Sequence, residues 1–200
     1  MILKICGITN PEDAAAAISG GANAIGFNFY AKSPRFIAPE RAAKIGTPAG
    51  IRRVGVFVNE TPAHIAEIAA AVALDVAQLH GDEAPRDYPG AIAVWKAARV
   101  SAGFDISRYD DCPAEALLLD GPAGTLYGGS GFIFDWNIAR RSRLHIIVAG
   151  GLDASNVAQA VAAAHPWGVD ACSRIESAPG KKDHKKMTEF LQAAKAALGA

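Results

Sequence analysis

Short apolar runs rich in Val, Ile and Leu alternate along this chain with Ala-rich or amphipathic stretches. Eight of the runs read as strands: residues 2–6, 24–29, 53–58, 76–80, 93–98, 116–120, 145–149 and 169–172. Each is short and bounded by Gly, Pro, Asp or Asn. The stretches between them carry helix-start signals. Asn10-Pro11-Glu12-Asp13 ahead of a run of alanines supplies an N-cap and then a proline at the first helical position. Thr61-Pro62 repeats that pattern, and Asp153-Ala154-Ser155-Asn156 gives another polar start. Residues 183–198 read as a closing helix with a basic face.

Strand–helix alternation argues for a parallel sheet covered by helices. Eight repeats, with no long linker or shift in composition, favour a single (β/α)8 TIM barrel over residues 1–200. An open doubly wound sheet would need only five or six strands. At about 25 residues per unit the barrel is a small one. Chemistry in such barrels gathers where strands end. Those ends read Cys6-Gly7, Asn28-Phe29, Val58-Asn59, His80-Gly81, Asp120-Gly121, Gly150-Gly151 and Cys172-Ser173. Polar and glycine residues concentrate there.

Composition narrows the partners. Lys+Arg and Asp+Glu balance at 20 each, so no overall field draws the chain to nucleic acid or an anionic membrane. Any anion site must be built locally, for a small-molecule substrate. The opening residues turn polar too early for a secretory signal. No apolar run reaches the ~18 residues of a membrane span. Three cysteines (Cys6, Cys112, Cys172) without CxxC spacing argue against a disulfide framework or a zinc site, and fit a reducing cytoplasm. Neither a metal nor a cofactor is expected. Monomer and homodimer stay equally open.

The candidates for chemistry are then few. A cysteine in an apolar strand is most often a small buried hydrophobe, but Cys6 ends its strand, where cations can push a thiol toward thiolate. Lys4 shares its face. If that face is the barrel interior, Lys4 needs a carboxylate, and Asp170 on the adjoining last strand can supply one. Asp120 follows three leucines and precedes the Gly-rich stretch GPAGTLYGGSG, long enough to fold over a substrate and exclude water. Gly150-Gly151 and Ser173 lie after strands seven and eight, where barrels commonly hold phosphate. Arg35 can grip a carboxylate or phosphate in two-pronged fashion, or be an ordinary surface residue. His80, with Gln78 on the same face, is a lining residue.

Several segments, in order across nearly the whole chain, resemble phosphoribosylanthranilate isomerases: Lys4-Ile-Cys-Gly-Ile-Thr9, Ser33-Pro34-Arg35, Gln78-Leu-His-Gly81, Leu118-Leu-Asp120, Gly128-Gly-Ser-Gly131 with Phe134-Asp-Trp136, Ala149-Gly-Gly-Leu152 and Pro179-Gly-Lys-Lys-Asp183. The resemblance implies a cofactor-free Amadori rearrangement in tryptophan biosynthesis. It implies Asp120 as the general acid that opens the ribose ring and Cys6 as the base that removes the C2′ proton. Arg35 would hold the anthranilate carboxylate; the loops at Gly150-Gly151 and Ser173-Arg174 would hold the phosphate. A pocket closed against water helps an acid keep the proton it must deliver. Where the family usually reads VDV(S/N)SGVE, this chain reads Val169-Asp-Ala-Cys-Ser-Arg-Ile-Glu176. Arg174 therefore stands where a glycine is expected. Its guanidinium either reaches the phosphate from the rim, turns to solvent, or pairs with Glu176. Cys172 reads as structural. The rival barrel isomerase of histidine biosynthesis relies on two aspartates and is larger. A non-catalytic ligand-binding barrel would need the arginine and glycines but not the Cys6–Asp120 pair.

Overall fold

Eight parallel strands close on themselves in chain order in the computed structural model, which describes residues 1–121 and 135–199. They are β1 (Ile2–Cys6), β2 (Ala24–Asn28), β3 (Arg52–Phe57), β4 (Val76–Leu79), β5 (Ala93–Arg99), β6 (Ala116–Asp120), β7 (His145–Ala149) and β8 (Gly168–Ala171). The seam pairs β1 with β8 and sets Lys4 opposite Asp170. Alternation along each strand divides the apolar residues. Leu3, Ile5, Phe27, Leu79 and Leu119 face the outer layer and form the larger core. Ile2, Val54, Val76, Trp95, Leu118 and Ile147 fill the barrel interior.

Helices form where the caps are good. Asn10 accepts the amide of Asp13 at 2.7 Å to start α1 (Pro11–Ser19). Thr61 caps α3 (Pro62–Val72), and Asp183 accepts the amides of Lys185 and Lys186 at the start of α5 (His184–Leu198). Each such cap contributes about 1 kcal/mol. The outer layer is thinner than the alternation implies. α2 is only Pro39–Ala42, and α4 is Val157–Ala164. Short 3-10 turns at Pro85–Asp87, Ile106–Tyr109 and Trp136–Arg141 replace helices after β4, β5 and β6. Pro85, Pro89 and Gly90 crowd the first of these connections, leaving no uninterrupted stretch for a helix.

Between β8 and α5 lies an element the alternation did not reveal, an antiparallel hairpin of β9 (Glu176–Ala178) and β10 (Lys181–Lys182). It folds Glu176 and Lys182 back toward the mouth. The Gly-rich stretch expected to cover the pocket, including residues 128–131 and Phe134, lies outside the described residues apart from Gly121. No described helix is long and apolar enough to cross a membrane.

Candidate active site

Lys4, Cys6 and Asp170 meet where β1 and β8 close the barrel. Alternation sends Lys4 and Cys6 inward together, and register brings Asp170 alongside. Lys4 Nζ donates to Asp170 Oδ2 at 2.7 Å, and the Lys4 side chain is fully buried. Burial works against its charge, but Asp170 and Cys6 outweigh that and hold Lys4 above its ordinary value. Asp170 is pushed up to about 7, first by burial and then by the charges of Cys6 and Asp120, with Lys4 opposing. Its Oδ1 has no partner among the described residues. The Cys6 thiol sits well below its ordinary value of 9.0. A hydrogen bond from Cys172 is the main cause; burial opposes it, and the Lys4 cation reinforces it. Cys172 first, and the Lys4 and Lys182 cations after it, thus favour a thiolate at the end of β1.

Across the mouth, Asp120 ends β6 with a histidine at its side. His80 Nε2 lies 3.1 Å from Asp120 Oδ2, and Gln78 Nε2 lies 3.2 Å from His80 Nδ1. With the amide nitrogen of Gln78 donating to Nδ1, the imidazole proton is on Nε2 and points at Asp120. The corner behind His80 is rigidly tied. Lys96 Nζ donates to the Gly81 carbonyl at 2.6 Å and pairs with Glu83 at 2.8 Å, while Glu83 accepts from the amides of Asn59 and Gly81. Gly150 closes in from β7 with φ +79°. A Cβ there would lie 2.2 Å from the Gly121 nitrogen and 2.9 Å from Asp120 Oδ1, so only glycine fits beside the carboxylate.

Arg35 arrives on the loop after β2 and is already engaged. Its Nε and Nη2 donate to Glu176 Oε1 and Oε2 at 2.9 and 2.7 Å, and Lys182 Nζ shares Oε1 at 3.0 Å. Nη1 has no hydrogen-bond partner among the described residues. Arg35 also passes over Gly7, where a Cβ would lie 2.9 Å from its Cδ. The two loops expected to hold phosphate adjoin, since a Cβ on Gly151 would stand 3.7 Å from Arg174 Cδ. Gly150-Gly151 does not run straight into a helix N-terminus; α4 starts at Val157. The Asn156 amide bridges the gap by donating to the Gly151 carbonyl at 2.9 Å.

One alternative left open for Arg174 is excluded. It does not pair with Glu176, whose oxygens are taken by Arg35 and Lys182; it bonds Asp153 Oδ2 through Nε at 2.5 Å. Cys172, whose place the sequence left open, stands beside Cys6. The structure brings Cys6, Asp170, Asp120 and His80 to one mouth, with Arg35 and the Gly150-Gly151 and Ser173-Arg174 loops around it. The sequence reading missed Glu176 and Lys182 as the residues that hold Arg35. Only the recurrence of the PGKKD segment marked that region, and a turn of this kind has no apolar period to expose it.

A thiolate and a carboxyl on separate walls, an arginine to one side and paired glycine loops to the other suit proton transfer on a phosphorylated sugar that also bears a second anionic group. Residues 3–193 match the family model of N-(5'phosphoribosyl)anthranilate (PRA) isomerase. An N-(5'-phosphoribosyl)anthranilate isomerase of Solibacter usitatus is 72% identical over 200 residues, covering 100% of both chains. The crystal structure of phosphoribosyl anthranilate isomerase from Thermotoga maritima superposes with a TM-score of 0.87 at 42% identity, over 98% of this chain and 100% of that one. Another solved phosphoribosyl anthranilate isomerase, in complex with reduced 1-(o-carboxyphenylamino)-1-deoxyribulose 5-phosphate, gives 0.86 at 40% identity over 98% and 100%. With strand order and sequence in agreement, the chain belongs to the phosphoribosylanthranilate isomerase family.

Proposed function

We propose that Asp120 and Cys6 are the acid and base of the family's reaction on this chain, the Amadori rearrangement of N-(5-phosphoribosyl)anthranilate to 1-(2-carboxyphenylamino)-1-deoxyribulose 5-phosphate in tryptophan biosynthesis. Asp120 delivers a proton to the ribose ring oxygen, and the ring opens to a protonated Schiff base at C1′. The Cys6 thiolate removes the C2′ proton, and the electron pair moves to give an enolamine. In the final tautomerisation C1′ gains a proton from Cys6 and the C2′ hydroxyl loses one to Asp120. Both groups return to their starting states, and the sequence of steps moves protons only. A sulfur base suits the site because Lys4 sustains one anion there, whereas a second ionised carboxylate would have to compete with Asp170.

His80 orients the Asp120 carboxyl through Oδ2 and leaves Oδ1 for the proton in flight. Arg35 Nη1 meets the anthranilate carboxylate, while Glu176 keeps the guanidinium from swinging. Asp170 Oδ1 accepts a hydroxyl of the sugar. The backbone at Gly150-Gly151 and at Ser173-Arg174 receives the phosphate, with the Arg174 guanidinium at its rim. A small phosphorylated substrate and three cysteines without disulfide spacing support a cytoplasmic location. The observation that carries this reading is the pairing of a thiol held well below its ordinary value on β1 with a histidine-bound carboxyl on β6. The test is turnover of fluorescent phosphoribosylanthranilate by the purified chain. Decay of fluorescence with formation of the ketone product is expected. Binding without conversion would instead mark a ligand-binding barrel.

A further inference from the structure

The steps above leave one thiol at the mouth unused. β1 and β8 run side by side, and Ile5 opposite Ala171 is their last paired position. Cys6 and Cys172 are the next residue on each chain, so their Cα atoms stand about one interstrand spacing, ~4.8 Å, apart. Disulfides form at Cα separations of about 4.4–6.8 Å. The side chains turn the same way. The Cys172 sulfur overhangs Gly7, the residue after Cys6, where a Cβ would lie 3.0 Å from Cys172 Sγ, and the two thiols are near enough to shift each other's acidity. Lys182 Nζ donates to the Cys172 carbonyl at 3.2 Å, which holds this residue in place. The third cysteine, Cys112, is engaged separately with the Tyr88 hydroxyl at 3.2 Å.

The two sulfurs are chemically unlike. The shared hydrogen bond lowers Cys6 and raises Cys172, whose own burial adds to the rise. The pair is therefore a nucleophilic thiolate next to a thiol that keeps its proton, the division of labour that a peroxide-reactive cysteine and its resolving partner require.

We propose that Cys6 and Cys172 form a reversible disulfide on exposure to a hydroperoxide, a modification site built into the active-site mouth. The Cys6 thiolate attacks one peroxide oxygen; the O–O bond breaks, an S–O bond forms, and the departing alkoxide or hydroxide takes up a proton. The Cys172 sulfur then attacks Cys6, forming S–S and breaking S–O, and the hydroxide leaves as water with the Cys172 proton. Two electrons pass from the two sulfurs to the peroxide, and thiol reductants reverse the change. The product has no thiolate at position 6, so turnover stops until it is reduced. A neighbour that closes the disulfide at once also spares Cys6 from irreversible oxidation to sulfinic acid.

The experiment uses the full chain, excess hydrogen peroxide, an iodoacetamide quench, peptide mapping and a turnover assay before and after dithiothreitol. Expected are a linked Cys6–Cys172 peptide, a fall of about 2 Da in mass, loss of turnover, and its recovery on reduction. Cys172→Ser, compared with its own untreated activity, should give no linked peptide and only partial recovery, as Cys6 moves on to sulfinic acid. Absence of the linked peptide in the parent protein, or equal recovery in Cys172→Ser, overturns the proposal. The disulfide depends only on the two thiols being adjacent; the loss of turnover depends on Cys6 being the base. A linked peptide with undiminished turnover would therefore sink the base assignment and leave the modification site standing.

Discussion

At the end of the barrel where the strands begin, Arg52 lies 5.9 Å from the Trp95 ring centre and 5.8 Å from that of Trp167. It grips Glu115 at 2.9 and 3.1 Å, and Trp95 Nε1 donates to the same carboxylate at 2.8 Å. His145 stacks on Trp167 at 4.7 Å. One cation meets one carboxylate, and aromatic rings enclose the pair. At the opposite end, in the corner of β1 and β8, the buried cation Lys4 faces both Asp170 and Cys6, Lys182 and Arg35 stand farther off, and Asp120 is near enough to be felt. The lower end balances its charges and is built for stability. The mouth crowds anions round one buried cation, and burial with those neighbours pushes Asp170 up to about 7. That crowding suits the proton transfers proposed for it.

The largest effects should follow removal of the moving protons. Cys6→Ala and Asp120→Asn should each lower kcat by ~10²–10⁴-fold while folding is kept, as measured by circular dichroism and turnover. Near-normal kcat in either variant would strike that residue from the mechanism. Lys4→Met removes the cation and leaves Asp170 buried without its partner, at a cost of about 3–5 kcal/mol in stability. The pH midpoint for alkylation of Cys6 should climb toward 9.0, the ordinary thiol value. Adding Asp170→Asn should restore much of the stability and none of the thiolate. An unchanged alkylation profile in Lys4→Met would show that Lys4 does not hold the anion.

Stability against pH separates the two ends by sign. Asp170 is raised from 3.8 to about 7. Below 3.8 it is protonated in both folded and unfolded chains. Between 3.8 and about 7 the unfolded chain gives up a proton that the folded chain keeps, so this residue's contribution falls as pH rises. Glu115 behaves oppositely. Burial works against its charge, but Arg52 and Trp95 hold it below 4.5, so its contribution is present above that value and lost as pH drops. Urea unfolding across this range should show that Asp170→Asn removes the decline and Glu115→Gln removes the acid-side loss. Neither slope should exceed about 1.4 kcal/mol per pH unit. The same sign for both variants would end the contrast.

Smaller effects complete the comparison. Arg52→Ala should lower stability by about 1 kcal/mol, since the pair is half-exposed and screened, a fall in Tm of ~2–4 °C. Its kcat and KM should not move. Arg174→Gly should raise KM and weaken its salt dependence with kcat unchanged, as when binding is lost equally from substrate and transition state. A KM and salt response matching the parent would leave Arg174 to Asp153 alone.

Much of this was legible in the chain because a strand's alternation is a geometric rule. Lys4 and Cys6 had to share a face, and closure of an eight-strand barrel had to bring Asp170 to them. The caps at Asn10 and Thr61 announced two helices by chemistry alone. What stayed hidden depends on contacts between loops. The grip of Glu176 on Arg35 spans 141 positions, and the Arg174–Asp153 pair joins two turns that have no period. Cys172 could not be placed for a different reason. Its face depended on where β8 ends, and the strand stops one residue short of it, at Ala171.

The Lys4–Asp170 pair joins the first strand to the last, and this has a consequence during synthesis. The ribosome releases Lys4 and Cys6 near the start of translation, but Asp170 and Cys172 only after most of the chain is out. Until then the thiol lacks both the hydrogen bond and the closed wall that lower it, and it behaves as an ordinary cysteine. A truncated or stalled chain thus carries the proposed base, Cys6, without the neighbours on β8 and beyond that favour its thiolate. On the proposed mechanism, activity arrives with the closing strand.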